Sequence, residues 1–355
     1  MANIRQKNYR IILNSKILTK EQRINAFVKL GELLDSAEFQ NDSFLESLVH
    51  KNAWYTPANV KQQIKAIANN LKKEKLEKWL KDVPNHSVQK SVGLVLAGNL
   101  PLVGFHDIMT VLLAGFVAKI KVSSDDAGLT KYILDKLLLI DPEFNDKVLF
   151  VEKLENYDLV IATGSNNSAR YFEYYFGKKP HIIRKNRNSL SVLTGNESDQ
   201  ELKGLGHDIF DFFGLGCRSV SKLFIPRDYN IAHLMENLES FHEIKNHSKY
   251  NNNYDFNKSI YLINKNKHFD NGFLLLKEDE NLASPLAVVH FEYYDNLESV
   301  EKFIKVHSNE IQCITTDADL SNIDVPVFPL GASQHPALDD YADNVNTLAF
   351  LLANQ

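Results

Sequence analysis

From Ser91 onward, short apolar runs alternate with stretches of helical periodicity, and this alternation constrains the fold more than any other feature. The run at 92–97 (Val-Gly-Leu-Val-Leu-Ala) ends at Gly98, which is typical of a buried strand. Apolar residues then recur at helical spacing over 102–114, 129–140 and 167–176. Because parallel strands need a crossover connection, this pattern predicts a mainly parallel sheet covered by helices, an α/β fold.

Several further segments carry strand or helix patterns. Strands are predicted over 116–122, 148–151, 158–163, 218–225, 259–263, 272–276, 286–291 and 311–315. Helices are predicted over 20–35, 57–71, 200–213 and 300–307. The asparagine-rich stretch 246–257 is predicted to be a polar loop.

The length of 355 residues corresponds to two domains at about 150 residues each. We predict a helical N-terminal segment over 1–90, packed on a first α/β domain over 91–195. A second domain over 196–324 and a C-terminal return segment over 325–355 complete the chain.

Composition excludes several classes of protein. Hydrophobic residues make up 44% of the chain, which excludes a mainly disordered state. The net charge of −5 argues against a nucleic-acid or anionic-membrane binder. Two cysteines cannot form a disulfide scaffold or a four-cysteine zinc site, and no histidine pair has metal-site spacing. The N-terminus lacks a secretory pattern, and the longest apolar run, within 108–118, is too short to span a bilayer, so we expect a cytoplasmic protein.

Cys217 is the strongest candidate for chemistry. It follows the glycine-rich segment 213–216 and precedes a predicted strand, so its sulfur is presented at the end of an element. The neighbouring Arg218 would favour the thiolate if its side chain faced the sulfur. The alternative is a buried structural cysteine, and this interpretation is favoured for Cys313, which lies in an apolar strand pattern.

Polar residues follow three of the predicted strands, at 98–101, 121–124 and 163–165. An amide at a strand end can donate to a developing oxyanion, and hydroxyls there suit a ribose or phosphate. The backbone amides of a helix N-terminus favour a pyrophosphate. None of these segments matches the dinucleotide fingerprint G-x-G-x-x-G, and each is a weak signal alone.

Taken in order, these motifs resemble the aldehyde dehydrogenase superfamily, and above all its fatty acyl-CoA reductase (LuxC-like) branch. Asn99-Leu100-Pro101 is similar to the Asn-x-Pro loop that supplies an oxyanion-hole amide. Lys121-Val122-Ser123-Ser124 is similar to the Lys-Pro-Ser-Glu stretch that holds the adenosine ribose. Thr163-Gly164-Ser165 matches a Thr-Gly-Ser turn that faces the cofactor, and Gly214-Leu215-Gly216-Cys217 resembles the nucleophile motif Gly-Gln-x-Cys.

The resemblance implies an aldehyde-dehydrogenase-like fold, with a Rossmann-type cofactor domain at 91–195 and a catalytic domain at 196–324. It implies that Cys217 forms an acyl-enzyme from an acyl-CoA and that a nicotinamide cofactor then reduces it to a fatty aldehyde. It also implies a homo-oligomer, and an acyl-transferring or ligase protein as a partner.

Three departures from the superfamily pattern refine this expectation. The stretch 181–188 stands where hydrolytic members carry a glutamate base, and no carboxylate occurs between Glu173 and Glu197, which favours a reductase over an acid-forming dehydrogenase. Ser124 replaces the acidic residue that binds the ribose of NAD, which favours NADPH, with NADH as the alternative. The segment 281–285 lacks the glutamate that holds the nicotinamide ribose, unless Glu280 takes its place.

Other readings remain open. The acyl donor could be a carrier-protein thioester or an acyl phosphate. The chain could instead load Cys217 and pass the acyl group on as a transferase or acyl-binding subunit, or be a non-catalytic relative. Four histidines lie near the motifs in sequence and are candidates for a general acid: His106, His181, His207 and His335.

Overall fold

The computed structural model describes residues 18–355, and these form two compact units. Of the described residues, unit 1 contains 18–185, 337–341 and 345–355, and unit 2 contains 186–336 and 342–344. The sequence pattern places the change of domain after residue 195. The structure places it after Lys185, because the strand Asn188–Val192 pairs within the sheet of unit 2.

Within residues 18–355, the helices and strands alternate over most of the chain. The α-helices are α1 (Lys20–Asp35), α2 (Ala37–Gln40), α3 (Ser43–Ser47), α4 (Pro57–Asn70), α5 (Lys73–Trp79), α6 (Phe105–Leu113), α7 (Leu129–Ile140), α8 (Asn166–Phe176), α9 (Asp199–Phe210), α10 (Ile231–Leu238), α11 (Ser248–Ile263), α12 (Leu297–His307) and α13 (Thr347–Leu352). The strands are β1 (Ser91–Val95), β2 (Val117–Lys121), β3 (Val148–Phe150), β4 (Leu159–Thr163), β5 (His181–Arg184), β6 (Asn188–Val192), β7 (Val220–Pro226), β8 (Phe269–Asp270), β9 (Leu275–Glu278), β10 (Val288–Tyr294), β11 (Ile311–Thr315) and β12 (Val327–Phe328). Short 3₁₀ helices cover Leu48–His50, Ser124–Asp126, Pro142–Asp146, Asp211–Gly214, Glu239–Asn246 and Ala342–Asn344.

Unit 1 is built on a five-stranded parallel sheet in the order β3-β2-β1-β4-β5. The strand order reverses between β1 and β4, and in such sheets ligands bind beyond the carboxyl ends of the strands at this point. The core lies between the sheet and its helices, where Val92 and Leu94 of β1 and Ile108 and Leu112 of α6 are all buried.

The N-terminal helices pack on this sheet unit. Helix α1 begins after Thr19, whose hydroxyl and Gln22 form a capping box. Arg23 is 1% exposed and donates to the carbonyls of Leu18, Leu113 and Pro84 at 2.7, 2.9 and 3.1 Å. Burial lowers the pKa of Arg23 to about 10, so the guanidinium keeps its charge at neutral pH. These bonds tie α1 to the end of α6.

Unit 2 contains a seven-stranded sheet in the order β12-β11-β6-β7-β10-β9-β8. All neighbouring strands are parallel except β8 and β9, which are antiparallel. The two buried sides of the sheet are packed by separate apolar clusters, one around Leu205 and Phe273 and the other around Leu190 and Ile304. β6 lies inside the sheet, between β11 and β7, and the start of β7 follows Cys217 by three residues.

The structure differs from the sequence expectation at residues 246–263. The predicted polar loop at 246–257 and the predicted strand at 259–263 are wrong, because residues 248–263 form the single helix α11. Its buried residues, Tyr250, Tyr254, Asn257 and Tyr261, recur at helical spacing. Asparagine favours turns and caps over helix interiors, so the high asparagine content of this stretch predicts a turn. Burial of the tyrosine face outweighs that local preference.

Strands β5 and β6 do not appear in the sequence expectation. Both contain buried polar residues, which interrupt the apolar run that marks an inner strand. Arg184 forms a bidentate ion pair with the buried Asp107, with Nη2 2.9 Å from Oδ1, and Ser189 and Ser191 are fully buried and hydrogen-bonded. In residues 18–355, no helix is both long and apolar enough to cross a membrane.

Candidate active site

Asn99 lies in the loop that follows the central strand β1 of unit 1, and its side chain is exposed. The preceding residue must be glycine, because a Cβ on Gly98 would lie 2.8 Å from the amide nitrogen of Asp126 and from the Cβ of Ser123. The loop after β1 therefore packs directly against the loop after β2. The hydroxyl of Tyr55 lies 3.0 Å from the carbonyl oxygen of Gly98 and 2.9 Å from that of Leu100.

The loop after β2 carries the three residues predicted to hold a ribose. Lys121 ends the strand with an exposed side chain, and Ser124 is exposed three residues later. The hydroxyl of Ser123 accepts a hydrogen bond from the amide of Asp125 at 3.2 Å and thereby begins the 3₁₀ helix. Asp126 is buried and accepts from the amide of Thr130 at 3.1 Å. Of the two carboxylates near Ser124, only Asp125 is exposed.

The loop after β4 joins that strand to helix α8. Thr163 is the last residue of β4, and Ser165 caps the helix by accepting from the amide of Ser168 at 3.2 Å. A Cβ on Gly164 would lie 2.9 Å from the ring of Phe172, so glycine is required for this close turn. The first amides of α8 therefore lie at the carboxyl edge of the sheet, a position that suits the phosphates of a dinucleotide.

These three loops come from the adjacent strands β2, β1 and β4. The structure thus brings the predicted ribose-binding residues, the Asn99 loop and the Thr163–Ser165 turn to one edge of the sheet in unit 1. The edge contains exposed hydroxyls, an exposed lysine and a helix N-terminus at the topological switch point. This set of groups fits a nicotinamide dinucleotide.

Cys217 is exposed and lies in a tight turn of unit 2, between the 3₁₀ helix Asp211–Gly214 and β7. The amide of Ser219 donates to the carbonyl of Gly216 at 3.0 Å, which closes the turn around Cys217. The carbonyl of Cys217 accepts from the hydroxyl of Ser189 on β6 at 2.9 Å. The backbone at Cys217 is thus fixed by its own turn and by the sheet.

The chain reaches this turn through three consecutive residues in the left-handed region, Phe212 (φ 53°), Phe213 (φ 60°) and Gly214 (φ 72°). This conformation costs about 1–2 kcal/mol for each non-glycine residue. The ring of Phe213 packs on that of His247, with centroids 4.2 Å apart. Backbone strain of this kind is retained where the surrounding structure over-determines it, and it clusters at functional sites.

A loop at 331–334 packs against the turn that contains Cys217. Arg218 donates to the carbonyl of Ser333 at 3.4 Å and lies 5.5 Å from the ring of Phe328, so the guanidinium is held by this loop. The side-chain amide of Gln334 lies 3.4 Å from the hydroxyl of Ser219. The loop is held in turn by the buried Asp208, a residue that sequence reasoning did not single out.

Cys313 has a different environment. It is fully buried on β11, and its sulfur lies 3.1 Å from the hydroxyl of Ser189. Burial raises the pKa of Cys313 to about 11. The predicted burial of this cysteine is confirmed.

Comparison with known families decides the identity of the chain. The family model "Acyl-CoA reductase (LuxC)" matches residues 18–267, well over half of the chain. The chain belongs to this family. The enzyme is thus of the acylating aldehyde dehydrogenase type, as the motifs predict.

Solved structures show the fold. An NAD-dependent benzaldehyde dehydrogenase from Corynebacterium glutamicum is 12% identical with a TM-score of 0.67, and covers 91% of this chain and 82% of its own. An NADP-dependent enzyme of E. coli is 13% identical with a TM-score of 0.68, and the match covers 88% of this chain and 78% of that enzyme. An NAD-dependent aldehyde dehydrogenase from Sinorhizobium meliloti is 10% identical with a TM-score of 0.63, and the match covers 86% of this chain and 71% of that enzyme. The predicted aldehyde-dehydrogenase-like α/β fold is confirmed. No curated protein sequence matches the enzyme.

Three of the four histidines near the motifs make hydrogen bonds through their rings. His106 lies 2.9 Å from the carbonyl of Leu338, and His181 lies 2.8 Å from that of Lys179. His207 lies 3.0 Å from the carboxylate of Asp211. His335 is exposed. Within residues 18–355, no three His, Cys, Asp or Glu side chains are grouped closely enough to hold a metal ion.

The sequence resemblance predicts that the segment after β9 corresponds to the one in which the superfamily has a ribose-binding glutamate. The fully buried Lys222 donates to the carbonyls of Asp279 and Glu280 at 3.0 and 2.9 Å, and to the carboxylate of Glu292 at 2.8 Å. Glu280 is exposed, so its backbone is fixed while its side chain faces solvent. His290 lies 3.0 Å from the carbonyl of Asn281 and must donate to it from Nδ1.

Proposed function

We propose that the enzyme reduces an acyl-CoA thioester to a fatty aldehyde through an acyl-enzyme at Cys217. The observation that carries this proposal is the exposed thiol of Cys217, presented on a turn whose backbone is fixed by Gly216, Ser219 and Ser189. A nucleophile held in this way needs little reorganisation when it attacks. The acyl-CoA reductase family supplies the substrate class.

In the first half-reaction, the thiolate of Cys217 attacks the thioester carbonyl. The side-chain amide of Asn99 and the backbone amide of Cys217 are assigned to the oxyanion that develops there. The bond between the carbonyl carbon and the sulfur of CoA then breaks, and CoA leaves as a thiolate that takes a proton from solvent. The acyl group remains on Cys217 as a thioester, which keeps the carbonyl reactive.

In the second half-reaction, the nicotinamide cofactor supplies a hydride to the acyl carbon when it is bound. We assign Lys121, Ser123 and Ser124 to its ribose, and the Thr163–Ser165 turn with the first amides of α8 to its pyrophosphate. Asn99 holds the negative oxygen of the thiohemiacetal until the carbon–sulfur bond breaks. Cys217 leaves as a thiolate and the aldehyde is released, with one proton consumed overall.

The contacts of two carboxylates support reduction over hydrolysis. The carboxylates that bracket the stretch without acidic residues, Glu173 and Glu197, are both engaged. Glu173 is paired with Lys185 at 2.9 Å. Glu197 accepts from the hydroxyl of Thr194 at 2.8 Å and from the amide of Gly195 at 3.1 Å. With these side chains so held, activation of water is disfavoured and the acyl-enzyme persists until it is reduced.

Intact-protein mass spectrometry with a series of acyl-CoAs tests the proposal. We expect an acyl adduct on the wild type and on Cys313→Ala but not on Cys217→Ala, lost with release of aldehyde when NADPH is added. Cys313→Ala is the matched control, since it removes the other thiol of the chain. An adduct that persists with both NADPH and NADH would support the acyl-transferase alternative. Absence of an adduct with every acyl-CoA would overturn the proposal and turn attention to acyl phosphates and carrier-protein thioesters.

We propose NADPH rather than NADH because Ser124 does not repel a 2′-phosphate. Burial of Asp126 leaves Asp125 as the exposed carboxylate of this loop. Ser124→Asp should lower the ratio of kcat/KM for NADPH to that for NADH by about tenfold or more, since ~1.4 kcal/mol of repulsion corresponds to tenfold. The companion variant Ser124→Ala should leave the ratio within about twofold. An unchanged ratio in Ser124→Asp would remove this residue from the specificity argument.

Two further expectations rest on the resemblance alone. Homo-oligomer formation and a partner protein that supplies or accepts acyl groups remain predictions. Size-exclusion chromatography with light scattering tests the first.

A further inference from the structure

The hydroxyl of Tyr55 lies between the two carbonyl groups that flank Asn99. Its oxygen is 3.0 Å from the carbonyl oxygen of Gly98 and 2.9 Å from that of Leu100. A tyrosine hydroxyl has one proton and both neighbours are acceptors, so the proton is shared in a three-centre hydrogen bond. The peptide groups on both sides of Asn99 are therefore held by a single atom.

Tyr55 is itself fixed. Its side chain is fully buried, and its amide donates to the carbonyl of Asn52 at 2.9 Å in the turn after the 3₁₀ helix Leu48–His50. Burial first, and then the charges of Asp126 and Asp125, raise the pKa of the Tyr55 hydroxyl above its ordinary value. The hydroxyl therefore remains a donor at any pH at which the enzyme would work.

The same turn contacts the loop after β2. The side-chain amide nitrogen of Asn52 lies 2.9 Å from the carbonyl oxygen of Asp125 and 3.4 Å from that of Gly98. The amide oxygen of Asn52 accepts from the backbone of Trp54 at 3.1 Å, which orients the side chain. Lys51 also reaches the carbonyl of Ala127, at 3.4 Å. Residues 51–55 thus contact both the Asn99 loop and the loop assigned to the ribose.

We infer that Tyr55, supported by Asn52, is a positioning residue that sets where the Asn99 amide donates. The inference rests on the proposed function, in which Asn99 binds the oxyanion. An oxyanion donor is effective only when it is held in advance at the position where charge develops. Glycine at 98 lets the loop lie close to its neighbour but leaves its own backbone free to turn. The hydroxyl of Tyr55 removes that freedom, and it acts on catalysis only through Asn99.

The test measures the rate constant of acyl-adduct formation at saturating acyl-CoA, without cofactor, for Tyr55→Phe, Asn99→Ala and the double variant. Tyr55→Phe should slow acylation about 10- to 100-fold, the loss expected for a displacement of up to 1 Å. KM for acyl-CoA should stay within about twofold, because the ring and the substrate contacts are retained. In the Asn99→Ala background, Tyr55→Phe should have almost no further effect, because residues that act as a unit are not additive.

Tyr294→Phe is the matched control, since it removes a tyrosine hydroxyl that donates to a backbone carbonyl within unit 2, that of Leu193 at 2.8 Å. It should acylate at the wild-type rate. Asn52→Ala is the second variant and should show the same slowing and the same lack of additivity, even if Tyr55→Phe does not fold. Thermal unfolding by circular dichroism identifies any variant that is not folded.

The outcomes separate this inference from the proposed function. Wild-type acylation by Tyr55→Phe and Asn52→Ala, or independent and additive effects with Asn99→Ala, would overturn the positioning role. Wild-type acylation by Asn99→Ala would instead remove the oxyanion assignment on which it rests.

Discussion

Asp208 is the residue whose removal should most disturb the support behind Cys217. Its carboxylate is fully buried on α9 and accepts hydrogen bonds from the amide of Gly331 at 2.7 Å and from the amide and hydroxyl of Ser333 at 3.0 and 2.7 Å. Burial raises the pKa of this carboxyl, while the hydrogen bonds oppose that rise. These three hydrogen bonds connect the segment 331–333 to α9.

The expected loss in the free energy of unfolding follows from the hydrogen-bond donors that Asp208→Ala would leave without an acceptor. The amides of Gly331 and Ser333 lose their acceptor, and the Ser333 hydroxyl can rotate to another partner. An unsatisfied buried donor costs about 1–3 kcal/mol, so the free energy of unfolding should fall by about 2–6 kcal/mol. Asp208→Asn keeps one acceptor oxygen and turns an NH₂ group toward the other donor, so roughly half of that loss, about 1–3 kcal/mol, is expected.

Urea unfolding followed by far-UV circular dichroism measures the change. Asp255→Ala on α11 is the matched control, because Asp255 is exposed and its carboxylate bonds the side chain of Asn251 at 2.8 Å. This control should remain within about 0.5 kcal/mol of the wild type. A loss below about 1 kcal/mol for Asp208→Ala, with an unchanged urea slope, would refute the reasoning, because it would mean that the two amides find other acceptors at no cost.

Three further predictions concern the two cysteines, the Asn99 loop and pH. The native enzyme should take up one alkyl group from iodoacetamide at mildly alkaline pH, on the exposed Cys217, because Cys313 is fully buried and burial raises its pKa to about 11. Peptide mapping by mass spectrometry checks this, and equally fast labelling of Cys313 would contradict it. Gly98→Ala should lower the free energy of unfolding by about 1–3 kcal/mol through overpacking, since the new Cβ would lie 2.8 Å from the Asp126 amide; a thermal melt like that of the wild type would count against the close packing of the two loops. Burial lowers the pKa of His290, so the unfolded chain binds its proton at a higher pH than the folded chain does. The stability contributed by neutral His290 is therefore present above about pH 6.5 and lost as the pH falls through the lowered pKa. His290→Asn should flatten the dependence of unfolding free energy on pH between about 7 and 5. An unchanged slope would contradict the contribution of His290 to that dependence.

Much of the α/β pattern can be predicted because a buried strand needs a short apolar run, and the run ends where the chain turns. Strands β1 and β4 are largely apolar runs, and the loops with Asn99 and Gly164 follow from their ends. Helix α7 and strand β11 have the predicted bounds. Arg184 is buried because it pairs with the distant Asp107. A buried polar residue of this kind interrupts the apolar run, so the sequence does not predict strand β5. In α11 the residue composition gives the wrong prediction. The asparagines favour a turn, but tyrosines four residues apart are buried on one face of a helix.

The positions of Asn99 and Cys217 at the ends of elements were determined by the sequence itself, because glycine, proline and a change from apolar to polar residues interrupt strands and helices locally. The groups that hold those two residues were decided only by the tertiary structure. Tyr55 meets its carbonyl partners 43 and 45 positions along the chain. Asp208 meets the amides of Gly331 and Ser333 at separations of 123 and 125. A hydrogen bond between such distant segments depends on how whole helices and strands pack, so no local pattern of residue types predicts it.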